Sequence, residues 1–300
     1  MEIIPQVQEA LTYIRSMDVT YIKDRLQASR VFYEKLSPLA GDQEAVYAVK
    51  DRVIEFPDRK ITIRIYRPDD KKASPAVVYF HGGGFFKGSL ETHDRPLRQL
   101  ANLSGIVVIS VDYRLAPEYP FPHGLNDCID ATKWIMNHAA ELDINSHRIA
   151  VAGDSAGGAL AIGVAGRLKG SILCQVLIYP ATDPSLTTPS WTTFADGPIL
   201  TLKSAIELWE YYTKGNSHAA PIYNDDLSGI PDTFIIVGEY DPLVDEAAAY
   251  GEKLRRAHVQ VTEKIYPKMI HGFFQFGRVI DQGREAIADI ARYIRYKLVE

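Results

Sequence analysis

Cysteine is nearly absent. Cys128 and Cys174 are the only two in 300 residues and form no CxxC pair, so neither a disulfide framework nor a thiolate metal site is expected. The eight histidines show no HExxH or Cys/His ligand spacing, and no metal or other cofactor follows from them. No stretch approaches the roughly 20 apolar residues that a membrane helix requires. The opening MEIIPQVQEALTYIRSMD lacks the basic leader and apolar region of a secretory signal, which makes the cytoplasm the expected location. Charge of one sign is never concentrated: 33 Lys and Arg stand against 38 Asp and Glu, a formal net charge of −5. That balance argues against a nucleic-acid groove and against a basic membrane-binding face, and leaves a small uncharged molecule as the expected partner. Internal repeats, low-complexity tracts and long polar linkers are missing as well, so residues 1–300 are expected to form a single domain.

With 46% hydrophobic and 24% charged residues, the chain is long enough to bury a full core. RVIEF (52–56) and ITIRIY (61–66) are expected as edge strands, the second alternating as a half-solvated strand should. AVVYF (76–80), IVVISV (106–111), RIAVAG (148–153), ILCQVLIY (172–179), TFIIVG (233–238) and VQVTEKIY (259–266) continue the series. Helical segments lie between and after them at about 92–103, 124–140, 156–169, 242–257 and 282–298. Strands without alternation, separated by helices, predict a doubly wound α/β fold: about eight strands, mostly parallel, covered on both faces, with ligands at the strands' carboxyl ends. Residues 1–45 and 185–215 stand outside this alternation as helical segments. They are either a lid or ordinary surface helices; the catalytic core would then be 46–184 and 216–300.

The strand RIAVAG runs directly into GDSAGG, so that Gly153, Ser155 and Gly157 fit G-x-S-x-G between a strand and a helix. A sharp turn there pushes the Ser155 hydroxyl out at the sheet's carboxyl edge, and the residues two before and two after must be tiny to clear neighbouring elements. The Ala156 amide, at the start of the following helix, is free to receive developing negative charge. A serine hydroxyl needs a base, and in this fold the base follows the serine in the chain. His218, His258 and His271 are the downstream histidines. His218 lies in the lid insert and His258 in a polar connection, whereas His271 follows the last strand on a loop able to reach over the sheet edge. Asp241, after the seventh strand, is the favoured partner for His271; Asp183 competes after the sixth, and Asp245 lies one turn beyond Asp241. A triple glycine in FHGGGFF (80–86) keeps bare backbone where something must approach closely.

HGGGF, GDSAGG, YDPLVDE and HGF, in this order and at these separations, resemble the hormone-sensitive lipase family of carboxylesterases on the α/β-hydrolase fold, over nearly the whole chain. The resemblance implies Ser155, Asp241 and His271 as a catalytic triad, Gly83, Gly84 and Ala156 as the oxyanion-hole amides, and the two irregular helical regions as a cap. It makes His81 a loop-fixing residue rather than a second base, and DYRLAPEYPFP (112–122) a structural stretch. Lys268 stands where a glycine is frequent, and His123 and Asn126 where small or acidic residues are usual. The implied activity is hydrolysis of short-chain acyl esters without a cofactor, and Asp154, Phe85, Phe86, Trp191, Phe194, Trp209, Phe273 and Phe274 are candidates to line the substrate pockets. A homodimer through the last strand stays open. The alternatives are a catalytically silent small-molecule receptor, related forms of which lack the histidine, and a serine peptidase or amidase.

Overall fold

The computed structural model describes residues 2–216 and 219–300; His218, read as part of the lid insert, lies outside them. Among the described residues eight strands form one sheet in the order β1-β2-β4-β3-β5-β6-β7-β8. These are β1 (Ala48–Glu55), β2 (Lys60–Arg67), β3 (Ser74–Phe80), β4 (Val107–Asp112), β5 (Ile144–Asp154), β6 (Cys174–Ile178), β7 (Asp232–Gly238) and β8 (Val261–Tyr266). β2 runs antiparallel to both β1 and β4, and the pairs from β4 through β8 are parallel. Strands β3, β4, β6 and β7 are almost wholly buried, and β5 is buried from Ile149 onward, as expected when helices cover both faces of a parallel sheet.

β2 is not an edge strand: it pairs on both sides, and the sheet's edges are β1 and β8. Its alternation, buried at Ile61, Ile63 and Ile65, reports that one face is solvated, which is independent of whether both backbone rims are paired. β8 carries the free rim instead, with polar Thr262, Glu263 and Lys264 exposed or half-buried, in keeping with charged side chains on open edges.

The helices that cover the sheet are α3 (Leu90–Ser104), α4 (His123–Asn137), α5 (Ala156–Arg167), α8 (Val244–Arg256) and α9 (Asp281–Leu298). α3 starts in a capping box between Ser89 and Thr92 and stops at left-handed Gly105. α5 is built from alanine, glycine and aliphatics because it is buried nearly all round, from Ala156 to Ala165. The two segments outside the alternation contain α1 (Pro5–Arg15) and α2 (Arg25–Glu34), and α6 (Pro189–Thr193) and α7 (Leu202–Thr213).

Register brings the functional loops to one edge. Phe80 pairs with Gly153, Asp154 with Ile178 and Gly238 with Tyr266. The chain therefore leaves β3, β5, β6, β7 and β8 at the same end of the sheet. Lys268, on the loop after β8, has φ 59, the left-handed region that explains why glycine suits the position.

Candidate active site

The turn from β5 into α5 holds Ser155 at φ 54, ψ −118, a conformation that costs a non-glycine residue on the order of 1–3 kcal/mol and persists only where its surroundings enforce it. Two main-chain bonds do so: the Ser155 N–H donates to Ile178 O at 2.8 Å, and the Ala181 N–H donates to Ser155 O at 3.1 Å. The two small residues flanking the serine are equally constrained. A Cβ on Gly157 would collide with the carbonyl oxygen of Phe80, and one on Gly153 with the backbone of Gly157.

His271 and Asp241 converge on this serine from the loops after β8 and β7. The His271 Nδ1–H donates to Asp241 Oδ2 at 2.9 Å, which leaves Nε2 to accept the Ser155 hydroxyl proton at 3.1 Å. Asp241 is fully buried, and its second oxygen accepts the Leu243 N–H at 2.9 Å. The competing acids are occupied elsewhere. Asp183 Oδ1 accepts from the Ser185 N–H and Asp245 Oδ2 from the Ser190 N–H, each at 2.8 Å. His258 is exposed on its connecting loop.

The glycine loop after β3 lies opposite. Gly83 (φ 121) and Gly84 (φ 63) have backbone geometry that favours glycine, and both line the same cavity as Ser155 and His271. Among the described residues, the N–H groups of Gly83, Gly84 and Ala156 donate to no protein acceptor. Buried amides are seldom left unpaired, so these three N–H groups are available to an acceptor from outside the chain. Gly82 is tied down instead: its N–H donates to Asp154 Oδ1 at 2.8 Å, an oxygen that also accepts the Tyr79 hydroxyl at 2.8 Å and lies 3.0 Å from His93 Nε2. Burial opposes the Asp154 carboxylate, but the histidines and the Tyr79 hydroxyl around it keep its pKa below the ordinary value.

His81 is enclosed, with Nδ1 2.8 Å from Gly82 O and its ring stacked on Tyr113. Burial, helped by His93, pushes its pKa down to about 3, so it is neutral and fixes the loop. The DYRLAPEYPFP stretch braces the same loop. Arg30 of α2 donates to Phe86 O and Ala116 O and pairs with Glu118, while Arg114 makes a forked contact with buried Asp127.

The cavity measures about 210 Å³. Its walls include Phe32 and Tyr33 of α2, Leu208 of α7, and Ile199 and Leu200 just before α7, so both helical segments outside the alternation contribute. Of the aromatic residues singled out in the sequence, only Phe86 lines it. Phe85 stacks on Tyr212 at 3.7 Å, and Trp191, Phe273 and Phe274 are core; ring size alone does not distinguish pocket from core. Tyr179, Lys87, Glu207 and Gln275 line the cavity without having been anticipated. Only Lys87 left a sequence signal, as a charge set directly after the apolar end of the glycine loop.

A family profile described as the alpha/beta hydrolase fold matches residues 77–275. The chain is 41% identical over 240 residues to the carboxylesterase NlhH of Mycobacterium tuberculosis, covering 75% of each, and 38% identical over 251 residues to the esterase LipI of the same organism, covering 79% of this chain and 78% of that one. A hyperthermophilic esterase from the archaeon Pyrobaculum calidifontis superposes with a TM-score of 0.90 at 38% identity, covering 99% of both chains.

Proposed function

From the premise that the chain belongs to the hormone-sensitive-lipase-like branch of the α/β-hydrolase-fold family and is a carboxylesterase, we propose that it hydrolyses short-chain acyl esters through a Ser155-His271-Asp241 triad and a seryl acyl-enzyme. One observation carries this reading: the hydrogen-bonded path from Ser155 to His271 to Asp241 opens on a cavity lined by Gly83 and Gly84, whose main-chain N–H groups, like that of Ala156 next to the serine, have no acceptor among the described residues.

In the first half-reaction His271 Nε2 takes the Ser155 proton as Oγ attacks the ester carbonyl. The amides of Gly83, Gly84 and Ala156 hold the oxyanion, each such donor typically lowering the barrier by about 3–4 kcal/mol. The imidazolium, held in orientation by Asp241, then protonates the departing alkoxide. Water repeats the steps against the acyl-enzyme and returns the free serine. A cavity of about 210 Å³ falls below the range of about 300–1,000 Å³ common for drug-sized ligands, which supports a small acyl and a small alcohol part. Residues 1–45 and 185–215 serve as the cap that closes over it.

Turnover of p-nitrophenyl butyrate is the test. The wild-type chain releases p-nitrophenol, and Ser155→Ala lowers kcat by about 10⁴-fold or more. Saturable binding of the ester without release would favour the silent-receptor alternative instead.

A further inference from the structure

Each acidic group that lines the cavity already has a partner. Asp154 is satisfied by Gly82, Tyr79 and His93, and Glu207 lies at the mouth, 40% exposed at its side chain and 3.5 Å from Arg25. His271 is engaged by Asp241. Lys87 is the charged group left without one; the Tyr179 hydroxyl, which also lines the cavity, lacks a partner too but is kept neutral by burial. Lys87 is half-buried, it lines the cavity, and among the described residues its ammonium has neither a hydrogen-bond acceptor nor an ion pair. The faces of Tyr33 and Phe86 approach it, with Nζ 5.4 and 5.0 Å from the ring centroids, and the Glu207 carboxylate acts on it from beyond ion-pair distance.

An ammonium held between two aromatic rings is oriented but incompletely compensated, because ring quadrupoles replace only part of its hydration. Resting on the serine-esterase reading above, we propose that Lys87 is a specificity-determining residue that binds a carboxylate, so that the preferred substrates are half-esters of short dicarboxylic acids. The scissile ester occupies Ser155 and the amide cradle, and the remote carboxylate pairs with the Lys87 ammonium. The chain's overall acidity points to an uncharged partner; on this proposal the unpaired Lys87 ammonium, acting at shorter range and in a less polar medium, outweighs it.

The protonation state is consistent with this role. Burial lowers the Lys87 pKa to about 8, with Glu207 opposing the shift, so the side chain is charged at neutral pH and becomes neutral above it. The titratable groups around it are Tyr33 of α2, whose own pKa is raised by burial, and Glu207 of α7. Asp154, Tyr179 and His271 share the same cavity.

The probes are matched pairs: the monoethyl esters of succinate, glutarate and adipate, each beside a neutral ester in which a methyl ketone replaces the carboxylate. The wild-type protein should hydrolyse the charged member of at least one pair with a kcat/KM about 10- to 100-fold higher, the value of one charge-assisted contact. Lys87→Met should abolish that ratio and Lys87→Arg should retain it. The ratio should decline above about pH 8 in the wild type, as the lysine of the free enzyme loses its proton; a group that acts alike on both substrates cancels in the ratio. Calorimetric binding of the same pairs to Ser155→Ala protein reads Lys87 without turnover, which separates this proposal from the hydrolytic one. Ratios near one for every pair, or a ratio that survives Lys87→Met, would overturn it.

Discussion

Substituting alanine at two glycines of the same helix should have opposite consequences. Gly157 and Gly166 both belong to α5, and neither has a positive φ. A Cβ at Gly166 would meet Asn224 Nδ2 at 3.6 Å and Ile230 Cδ1 at 3.9 Å, ordinary contacts. Gly166→Ala should therefore stabilise by about 0.5–1 kcal/mol, through the lower conformational entropy of alanine in the unfolded chain. At Gly157 the Cβ would be driven into Phe80 O and would stand 2.7 Å from His81 O. Restoring ordinary contact with His81 alone requires about 0.7 Å of retreat, and the obstacle is backbone, which has no alternative rotamer. A penalty of about 3 kcal/mol or more follows. At about 1.5 °C per kcal/mol for a chain of this size, Gly157→Ala should lower Tm by roughly 5 °C while Gly166→Ala raises it by about 1 °C. Activity should respond more sharply than stability. Phe80 and His81 lead directly into the glycine loop, and a displacement near 1 Å between Ser155 and the amide donors should reduce kcat for p-nitrophenyl butyrate by about 100-fold. Differential scanning fluorimetry and steady-state kinetics on the two variants are sufficient. If Gly157→Ala keeps wild-type Tm and kcat, the close approach of α5 to β3 does not set the geometry of the site.

Two further predictions concern carboxyl groups. Asp241→Asn should reduce kcat by about 10⁴-fold, because an amide can stabilise the wrong imidazole tautomer, whereas Asp183→Asn should change it less than tenfold; the reverse order would identify Asp183 as the acid. Glu246 is buried with one unpartnered oxygen, and burial, reinforced by Asp183 and Asp241, raises its pKa well above the ordinary value. A raised folded-state pKa means that stability is fully present below the unfolded value of about 4.5 and is lost as pH rises toward the folded value. Glu246→Gln should accordingly gain Tm relative to the wild type as pH goes from 5 to 9, and parallel Tm profiles for the two proteins would contradict this.

Much of the architecture is legible because its causes are local. Each of the eight strands appears in the sequence as a short run bounded by turn residues, and GDSAGG announces its strand-turn-helix context directly. His271 and Asp241 are found by chain order, since the fold delivers β7 and β8 to the edge that already holds Ser155. Other features depend on neighbours that no local pattern reveals. ITIRIY shows which face of β2 is wet but not that β4 pairs with its second rim. Gln275 contacts His93 Nε2 at 2.5 Å and accepts the Tyr33 hydroxyl, joining segments more than 180 residues apart through a side chain with no motif of its own. Pocket and core aromatics are not separable in the sequence for the same reason: Phe273 differs from Phe86 only in what the completed fold packs around it.

The walls of the cavity come from both ends of the chain, with Ile14, Phe32 and Tyr33 at one extreme and His271 and Phe276 at the other. On the proposed reading this imposes an order on biosynthesis. Phe32 and Tyr33 leave the ribosome before the nucleophile, and the imidazole that arms it follows 116 residues after Ser155. A growing chain therefore carries an unarmed hydroxyl until the loop after β8 has been made, and hydrolytic competence arrives as that loop settles against the sheet.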